Sequence, residues 1–172
     1  MNLLSLLSRR KTEFLGAAVA AACLWLAVGC ANDADTHGGG SISFGSGWDP
    51  PSFFFKPGLP RVGGRLVGST DERFTDTEAM LTDAIGMMKR FPDWRFEIRA
   101  YTDDRECAGR ECMDLSLRRA AVVRAWLLEH GAPASSLKPL KAFGSTMPLA
   151  DNAKTDGRRI NRRVEFGVEF TN

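Results

Sequence analysis

The sequence has 172 residues, of which 26% are charged and 44% hydrophobic, and a formal net charge of +2. These values are typical of one globular domain with additional segments. The segment that we predict to be removed contains Arg9, Arg10, Lys11 and Glu13, so the mature chain is close to neutral. A near-neutral chain has no electrostatic basis for general nucleic-acid binding, which argues against that class of protein.

An export signal is predicted at the N-terminus. Three basic residues, Arg9–Lys11, precede the apolar run Phe14–Gly29, which is the arrangement of a secretory signal. The run leads into Cys30 through Ala27, Val28 and Gly29. This pattern resembles the bacterial lipobox, in which the cysteine is acylated and becomes the mature N-terminus. We therefore expect residues 1–29 to be a signal peptide and Cys30 to carry lipid, palmitate included.

An uncleaved membrane anchor is the alternative for this segment, although the apolar run is short for a spanning helix of about 20 residues. In the lipoprotein sorting rule that this resemblance brings with it, Asp after the lipidated cysteine retains a protein at the inner membrane. Ala31 stands at that position, so we expect a lipid anchor in the outer membrane and a domain that faces the periplasm.

A linker is predicted between the anchor and the domain. Ala31–Gly47 is rich in Gly, Ser and Asp, a composition that buries too little apolar surface to fold. Trp48–Pro60 contains four aromatic residues among prolines, and it is interpreted as packing against the domain, starting its sheet or docking a partner. The predicted boundaries are 30–60 for the lipidated N-terminus and linker and 61–172 for the domain.

Two of the four cysteines remain in the predicted domain, since Cys23 lies in the signal and Cys30 is the lipidation site. Cys107 and Cys112 are then two thiols in an oxidising compartment, and we expect them to form a disulfide. A redox or metal site is the alternative. However, the spacing is not C-x-x-C and no histidine is adjacent in the sequence, so no metal or other cofactor is predicted.

The first half of the domain reads as strand, helix and strand. Arg61–Val67 is predicted to form a short first strand. Thr75–Arg90 is predicted to be a helix because its apolar residues recur at spacings of three and four. Thr75 or Thr77 is expected to cap it, with Glu78 completing a capping box after Thr75. A half-buried strand that ends at Tyr101 follows from the alternation of apolar and charged side chains, the apolar ones being Trp94, Phe96, Ile98 and Ala100.

The second half continues with helix, strand, short helix and strand. Asp114–His130 is predicted to be the second helix, with Gly131 as its left-handed C-cap and Pro133 blocking continuation. The remaining segments are a strand, a loop with a short helix and a last strand: Lys138–Phe143, Asp151–Ile160 and Arg163–Phe170. The order β-α-β-α-β-(short α)-β predicts an α/β two-layer sandwich with a mixed sheet and helices on one face.

With these elements in place, the sequence resembles the OmpA-like peptidoglycan-binding domain, which also occurs in peptidoglycan-associated lipoproteins. The resemblance covers roughly Thr70–Phe170 and depends on the order and spacing of several short motifs. These are Thr102-Asp103, Leu115-Ser116-Leu117-Arg118-Arg119-Ala120, Val123, Phe143-Gly144, Ala150-Asp151-Asn152, Gly157-Arg158 and Asn161-Arg162-Arg163-Val164. Cys112 departs from the family pattern, which has Asn three residues before Leu115.

The resemblance implies a ligand and its contacts. In the family an Asp binds the free ammonium, and an Arg binds the carboxylate, of the diaminopimelate in the peptide stem of peptidoglycan. Matched by motif, these residues are Asp103 and Arg119, with Arg162 as a secondary contact. The chemistry agrees, because a fixed acid and a bidentate guanidinium fit a zwitterion together. The helix N-terminus near Asp114 adds a favourable field for an anion.

Structural roles are the alternatives for these residues. Asp103 is interpreted either as a ligand contact or as a cap of its loop. Arg118 is interpreted as a solvated neighbour, and only one of Arg162 and Arg163 is expected to face the site, because they lie on alternate faces. The remaining charged residues of the loop are interpreted as solvated surface: Asp104, Arg105, Glu106, Arg110 and Glu111.

No catalytic motif is present. The histidines are His37, in the linker, and His130, at a helix end, and the sequence contains neither G-x-S-x-G nor H-E-x-x-H. The resemblance therefore favours a non-enzymatic outer-membrane lipoprotein that tethers the membrane to the cell wall. The alternative is an envelope or secretion-machine assembly scaffold that keeps the fold, docks through Trp48–Pro60 and binds the wall weakly or not at all.

Overall fold

The computed structural model describes residues 52–73 and 75–170. The predicted signal peptide, the lipidation site and the linker up to residue 51 lie outside the described residues. Among the described residues, none of the helices has the length and apolar character needed to span a bilayer.

The described residues form four strands and three helices, with a short 3-10 turn (Ala134–Ser136) after the second helix. The strands pair in the order β1-β4-β2-β3, in which β4 is antiparallel to β1 and β2, while β2 and β3 are parallel. The predicted mixed sheet is confirmed. In chain order the elements are β1 (Ser52–Phe54), α1 (Thr77–Arg90), β2 (Trp94–Tyr101), α2 (Arg110–Glu129), β3 (Lys141–Gly144), α3 (Thr155–Asn161) and β4 (Arg163–Phe170).

The hydrophobic core lies between the sheet and the helices α1 and α2. Alternate residues of β2 face it, because successive side chains of a strand point to opposite faces. From α1 the stripe that spacing predicted contributes Leu81, Ala84, Ile85 and Met88. These side chains pack in one cluster with residues of β1, β2, β4 and α2, among them Phe53, Phe96, Ile98, Val123, Leu127, Val164 and Phe166.

The predicted first strand is wrong. Residues 61–67 form turns, whereas the first strand is Ser52–Phe54, paired with β4. Gly63 has a positive φ of 75°, a backbone conformation that suits a turn and interrupts a strand. Part of Trp48–Pro60 therefore starts the sheet, and the fold begins before the predicted boundary at residue 61.

The helix ends also differ from prediction. Asp76, rather than Thr75 or Thr77, caps α1, and its side chain accepts a hydrogen bond from the Ala79 N–H. The second helix starts at Arg110, four residues before the predicted Asp114, and Cys112 in its first turn is joined to Cys107 by a disulfide. Gly131 has the expected positive φ, 87°.

Candidate functional site

One end of the sheet brings together the three residues that the sequence motif singled out. Asp103 follows the end of β2, Arg119 lies on the buried face of α2, and Arg162 immediately precedes β4. All three are buried, with exposed fractions of 1%, 0% and 6%. Charged groups this deep need partners, and their partners define the site.

Asp103 is both a cap of its loop and half of an ion pair. Its Oδ1 accepts hydrogen bonds from the backbone N–H groups of Arg105 and Glu106, and its Oδ2 lies 2.7 Å from Nη1 of Arg162. Arg162 also donates from Nε to the carbonyl of Phe55. The structure therefore places Arg162 against Asp103, as the alternation of Arg162 and Arg163 allowed.

Arg119 makes a hydrogen bond with every N–H group of its guanidinium, which has five donors. Two go to the carboxylate of Glu106, each at 2.7 Å. The other three go to the backbone carbonyls of Leu59, Tyr101 and Lys56. Burial lowers the pKa of the Arg119 guanidinium, and the bonds to Glu106 act in the opposite direction. No donor of this side chain is left over.

Glu106 is the residue that the sequence interpretation missed. The sequence predicts solvated loop surface for Glu106, but its side chain is only 2% exposed. Besides Arg119, the backbone N–H groups of Gly58 and Asp103 donate to its carboxylate, at 2.8 and 3.1 Å. The guanidinium of Arg119 and the N–H groups of Gly58 and Asp103 thus form an anion-binding pocket, which we call the carboxylate cradle.

One signal in the sequence points to Glu106. Cys112 and Arg119 are seven residues apart, which is two helical turns, so they share a face of α2. A disulfide from Cys107 to Cys112 holds the preceding residue, Glu106, near that face. The structure contains this predicted disulfide, with a Cα–Cα distance of 5.0 Å.

A shallow cleft of about 270 Å³ borders the cradle. Gly58, Glu106 and Cys107 line the cleft together with residues of the first turns of α2. It carries both signs of charge, from the side chains of Arg118 on one hand and of Glu111 and Asp114 on the other. Arg118 is half-buried and donates to the carbonyl of Pro60 at 3.2 Å, so it is fixed in place rather than fully solvated.

On the other face of the sheet, Arg163 covers the ring of Tyr101, with its guanidinium carbon 3.7 Å from the ring centroid. Tyr101 also stacks on Phe143 and donates a hydrogen bond of 2.6 Å from its hydroxyl to Glu165. Burial raises the pKa of the Tyr101 phenol above its ordinary value, and the hydrogen bond to Glu165 adds to the increase. The carbonyl of the same residue binds Arg119, which ties this packing to the cradle.

Tyr101 is the single tyrosine of the chain, so an absorbance titration of tyrosinate reports on it alone. In denaturant we expect ionisation near the ordinary pKa of about 10. In the folded protein we expect it at higher pH. Because the folded pKa is the higher one, the phenol's contribution to stability is complete below about pH 10 and is lost as the pH rises further. Coincident titrations in the two states would contradict the buried, hydrogen-bonded phenol.

Metal binding has no support in the described part of the chain. Within residues 52–73 and 75–170, no group of three His, Cys, Asp or Glu residues is arranged to hold a metal ion. Asp104 and Arg105 are exposed and lie 3.8 Å apart. The buried charges of the site are paired with one another, Asp103 with Arg162 and Glu106 with Arg119.

The chain is similar to known proteins. The OmpA family matches residues 73–162. "Peptidoglycan-binding protein ArfA" of Mycobacterium tuberculosis is 37% identical over 81 residues, 47% of this chain and 24% of that protein. "Outer membrane porin F" of Pseudomonas aeruginosa is 38% identical over 85 residues, 48% of this chain and 23% of that protein. This chain thus aligns with about a quarter of the length of these relatives.

A solved structure supports the same assignment at the level of the fold. The C-terminal domain of MotB from Helicobacter pylori has a TM-score of 0.57 with this chain at 23% identity, covering 73% of this chain and 87% of that one. The fold is therefore shared. The family match extends over more than half of the 172 residues, and the chain belongs to the OmpA family.

Proposed function

We propose that this chain is an outer-membrane lipoprotein whose OmpA-family domain binds the diaminopimelate-containing peptide stem of peptidoglycan and so tethers the membrane to the cell wall without catalysis. The observation that carries the proposal is the carboxylate cradle. It combines the guanidinium of Arg119 with two backbone N–H groups, at the end of the sheet where Asp103 and Arg162 also lie.

The ligand chemistry fits this arrangement. The side chain of diaminopimelate ends in a carbon that bears both an ammonium and a carboxylate. A guanidinium binds a carboxylate through two parallel N–H···O bonds, as Arg119 binds Glu106. Asp103 supplies the fixed acid for the ammonium. It lies next to the cradle, because its own N–H group is one of the donors that form it. We assign Arg162 as the secondary contact that holds the Asp103 carboxylate in position.

The relatives support the wall-binding part of the proposal. ArfA, 37% identical over 81 residues, is named a peptidoglycan-binding protein. The lipid anchor is supported by the sequence alone. Cys30 follows a small residue, and Ala31 rather than Asp follows Cys30. One weak site per molecule becomes an effective tether when many membrane-bound copies face one sheet of wall.

Co-sedimentation tests the binding function. The full chain, solubilised in detergent, is mixed with purified diaminopimelate-type peptidoglycan and centrifuged. We expect the protein in the pellet, and we expect free diaminopimelate to return it to the supernatant by occupying the cradle. If the protein stays in the supernatant when no free diaminopimelate is present, the proposed tether function is contradicted.

The lipid anchor has its own test. In cells fed a labelled palmitate precursor, we expect the chain to take up label and to fractionate with the outer membrane. Cys30→Ser removes the thiol that would be acylated, so label and membrane association should both be lost. Label that persists in this variant would place the lipid elsewhere or show an uncleaved apolar anchor.

One observation favours the alternative, an envelope or secretion-machine scaffold with weak or lost wall binding: Glu106 already occupies the cradle. Deleting Trp48–Pro60 does not separate the two functions. That deletion removes β1 and the carbonyls of Lys56 and Leu59, which bind Arg119, so we expect it to unfold the domain. Chain that fails to sediment with peptidoglycan while it co-purifies with envelope proteins would support the scaffold.

A further inference from the structure

The carboxylate cradle is already full. Each oxygen of Glu106 accepts two hydrogen bonds: Oε1 from Arg119 and from the N–H of Asp103, and Oε2 from Arg119 and from the N–H of Gly58. Arg119 has no unused donor, because its remaining N–H groups bind backbone carbonyls. An external carboxylate that is to reach Arg119 must therefore replace the one that is there.

We infer that Glu106 is a built-in competitor for the ligand carboxylate, so that binding of the peptide stem requires its side chain to leave the cradle. The inference rests on the proposed function, because it names what regulates that same site. Glu106 then determines how weakly the site binds its ligand and which ligands can displace the Glu106 side chain from the cradle.

The position of Glu106 permits the exchange. It lies in the loop between β2 and α2, not in a helix or strand, and its neighbours Asp104 and Arg105 are exposed. Its side chain borders the cleft of about 270 Å³, so a rotated side chain has space to enter. The disulfide joins Cys107 to Cys112 and puts no covalent constraint on the side-chain torsions of Glu106.

The exchange also conserves the interactions of Arg119. Leaving a buried charge without its partner is strongly destabilising. When one carboxylate replaces another, the guanidinium keeps its two charge-assisted bonds and the N–H groups of Gly58 and Asp103 keep their acceptors. A ligand without a carboxylate at this place offers no replacement and is therefore rejected.

The expected consequence is a reduced apparent affinity. When a site is open for only a fraction of the time, the apparent dissociation constant increases by the inverse of that fraction. If Glu106 fills the cradle for all but about a tenth of the time, the wild type binds about tenfold more weakly than an open cradle would.

The test compares Glu106→Gln with Asp104→Asn in the full chain in detergent. Each variant neutralises one carboxylate of the same loop, but Asp104 is exposed and is paired with the exposed Arg105. The amide of Gln cannot supply two acceptors to Arg119 and is displaced more easily. By titration with a stem tripeptide ending in diaminopimelate, we expect Glu106→Gln to bind about tenfold or more tightly than wild type, and Asp104→Asn to match wild type. Equal or weaker binding by Glu106→Gln, beside a wild type that binds, would overturn the inference.

A second arm needs no peptidoglycan. Glu106→Ala leaves Arg119 without its anion, and we expect acetate to raise the melting temperature of this variant, relative to chloride at equal ionic strength, while wild type shows no such shift. If neither wild type nor Glu106→Gln binds the tripeptide but acetate stabilises Glu106→Ala, the proposed function fails and the exchangeable cradle stands. If acetate has no effect on Glu106→Ala, or does not restore its fold, the cradle accepts no external carboxylate and the inference is overturned.

Discussion

Arg119→Ala is expected to lower the free energy of unfolding by about 3–5 kcal/mol. The change leaves the buried carboxylate of Glu106 without its cation and removes the donors from three backbone carbonyls. Denaturant unfolding followed by circular dichroism measures the loss. Arg119 and Glu106 are both buried, so water cannot replace the lost partner. The expected loss of stability is therefore much larger than that for a surface ion pair.

Arg118→Ala is the matched control, since it truncates the arginine that directly precedes Arg119 in the same helix. Among the described residues Arg118 has one hydrogen bond, from Nε to the carbonyl of Pro60, and its side chain is half-buried. We expect it to lower stability by no more than about 1 kcal/mol. Similar losses in the two variants would mean that the Arg119–Glu106 pair does not hold the loop against α2.

Asp103→Asn is expected to destabilise the fold by about 3 kcal/mol, because it leaves the guanidinium of Arg162 buried without a counter-charge. The amide oxygen of Asn still accepts from the N–H groups of Arg105 and Glu106, so the loss reports on the ion pair rather than on the loop cap. Unfolding by denaturant measures it, with Asp104→Asn, an exposed neighbour, as the reference for charge alone.

A double-mutant cycle with Arg162→Met isolates this pair. The two residues are in contact at 2.7 Å, and we expect a coupling of about 1–3 kcal/mol, so that the double variant is less destabilised than the sum of the single ones. Additive losses would show that Asp103 and Arg162 act on stability through separate partners.

These stability effects determine how the proposed wall-binding site can be tested. Loss of binding in Arg119→Ala or Asp103→Asn does not separate a missing ligand contact from a disturbed loop, because both residues hold the loop in place. Changing the ligand instead of the protein leaves the fold intact. A matched pair of ligands is therefore more informative than a truncated site.

Much of the fold follows from patterns that packing imposes on the sequence. The spacing of Leu81, Ala84, Ile85 and Met88 predicts α1 because one face of a helix must contact the sheet. Strict alternation predicts β4 with the bounds that the structure has, Arg163–Phe170. Ser52–Phe54 is only three residues long and carries no such pattern. It becomes a strand because β4 pairs with it, which is a tertiary effect.

The candidate site was also predictable in part from patterns in the sequence. Asp103, Arg119 and Arg162 stand at fixed distances from the ends of regular elements, so a family motif identifies them together. Their partners do not have this property. The carbonyls of Lys56 and Leu59 carry no side-chain signature, and Glu106 is marked only indirectly, by the spacing of Cys107, Cys112 and Arg119. Whether a loop acid is solvated or buried depends on what the fold places opposite it.

The measurement with the clearest outcome is a calorimetric titration of the full chain in detergent with two stem tripeptides, one ending in diaminopimelate and the other in lysine. The two differ by the carboxylate at the end of the side chain, which is the group that we propose the cradle binds. We predict saturable binding of the diaminopimelate peptide and none of the lysine peptide. Equal binding of both peptides, or of neither, would contradict recognition of the wall through Arg119 and the cradle.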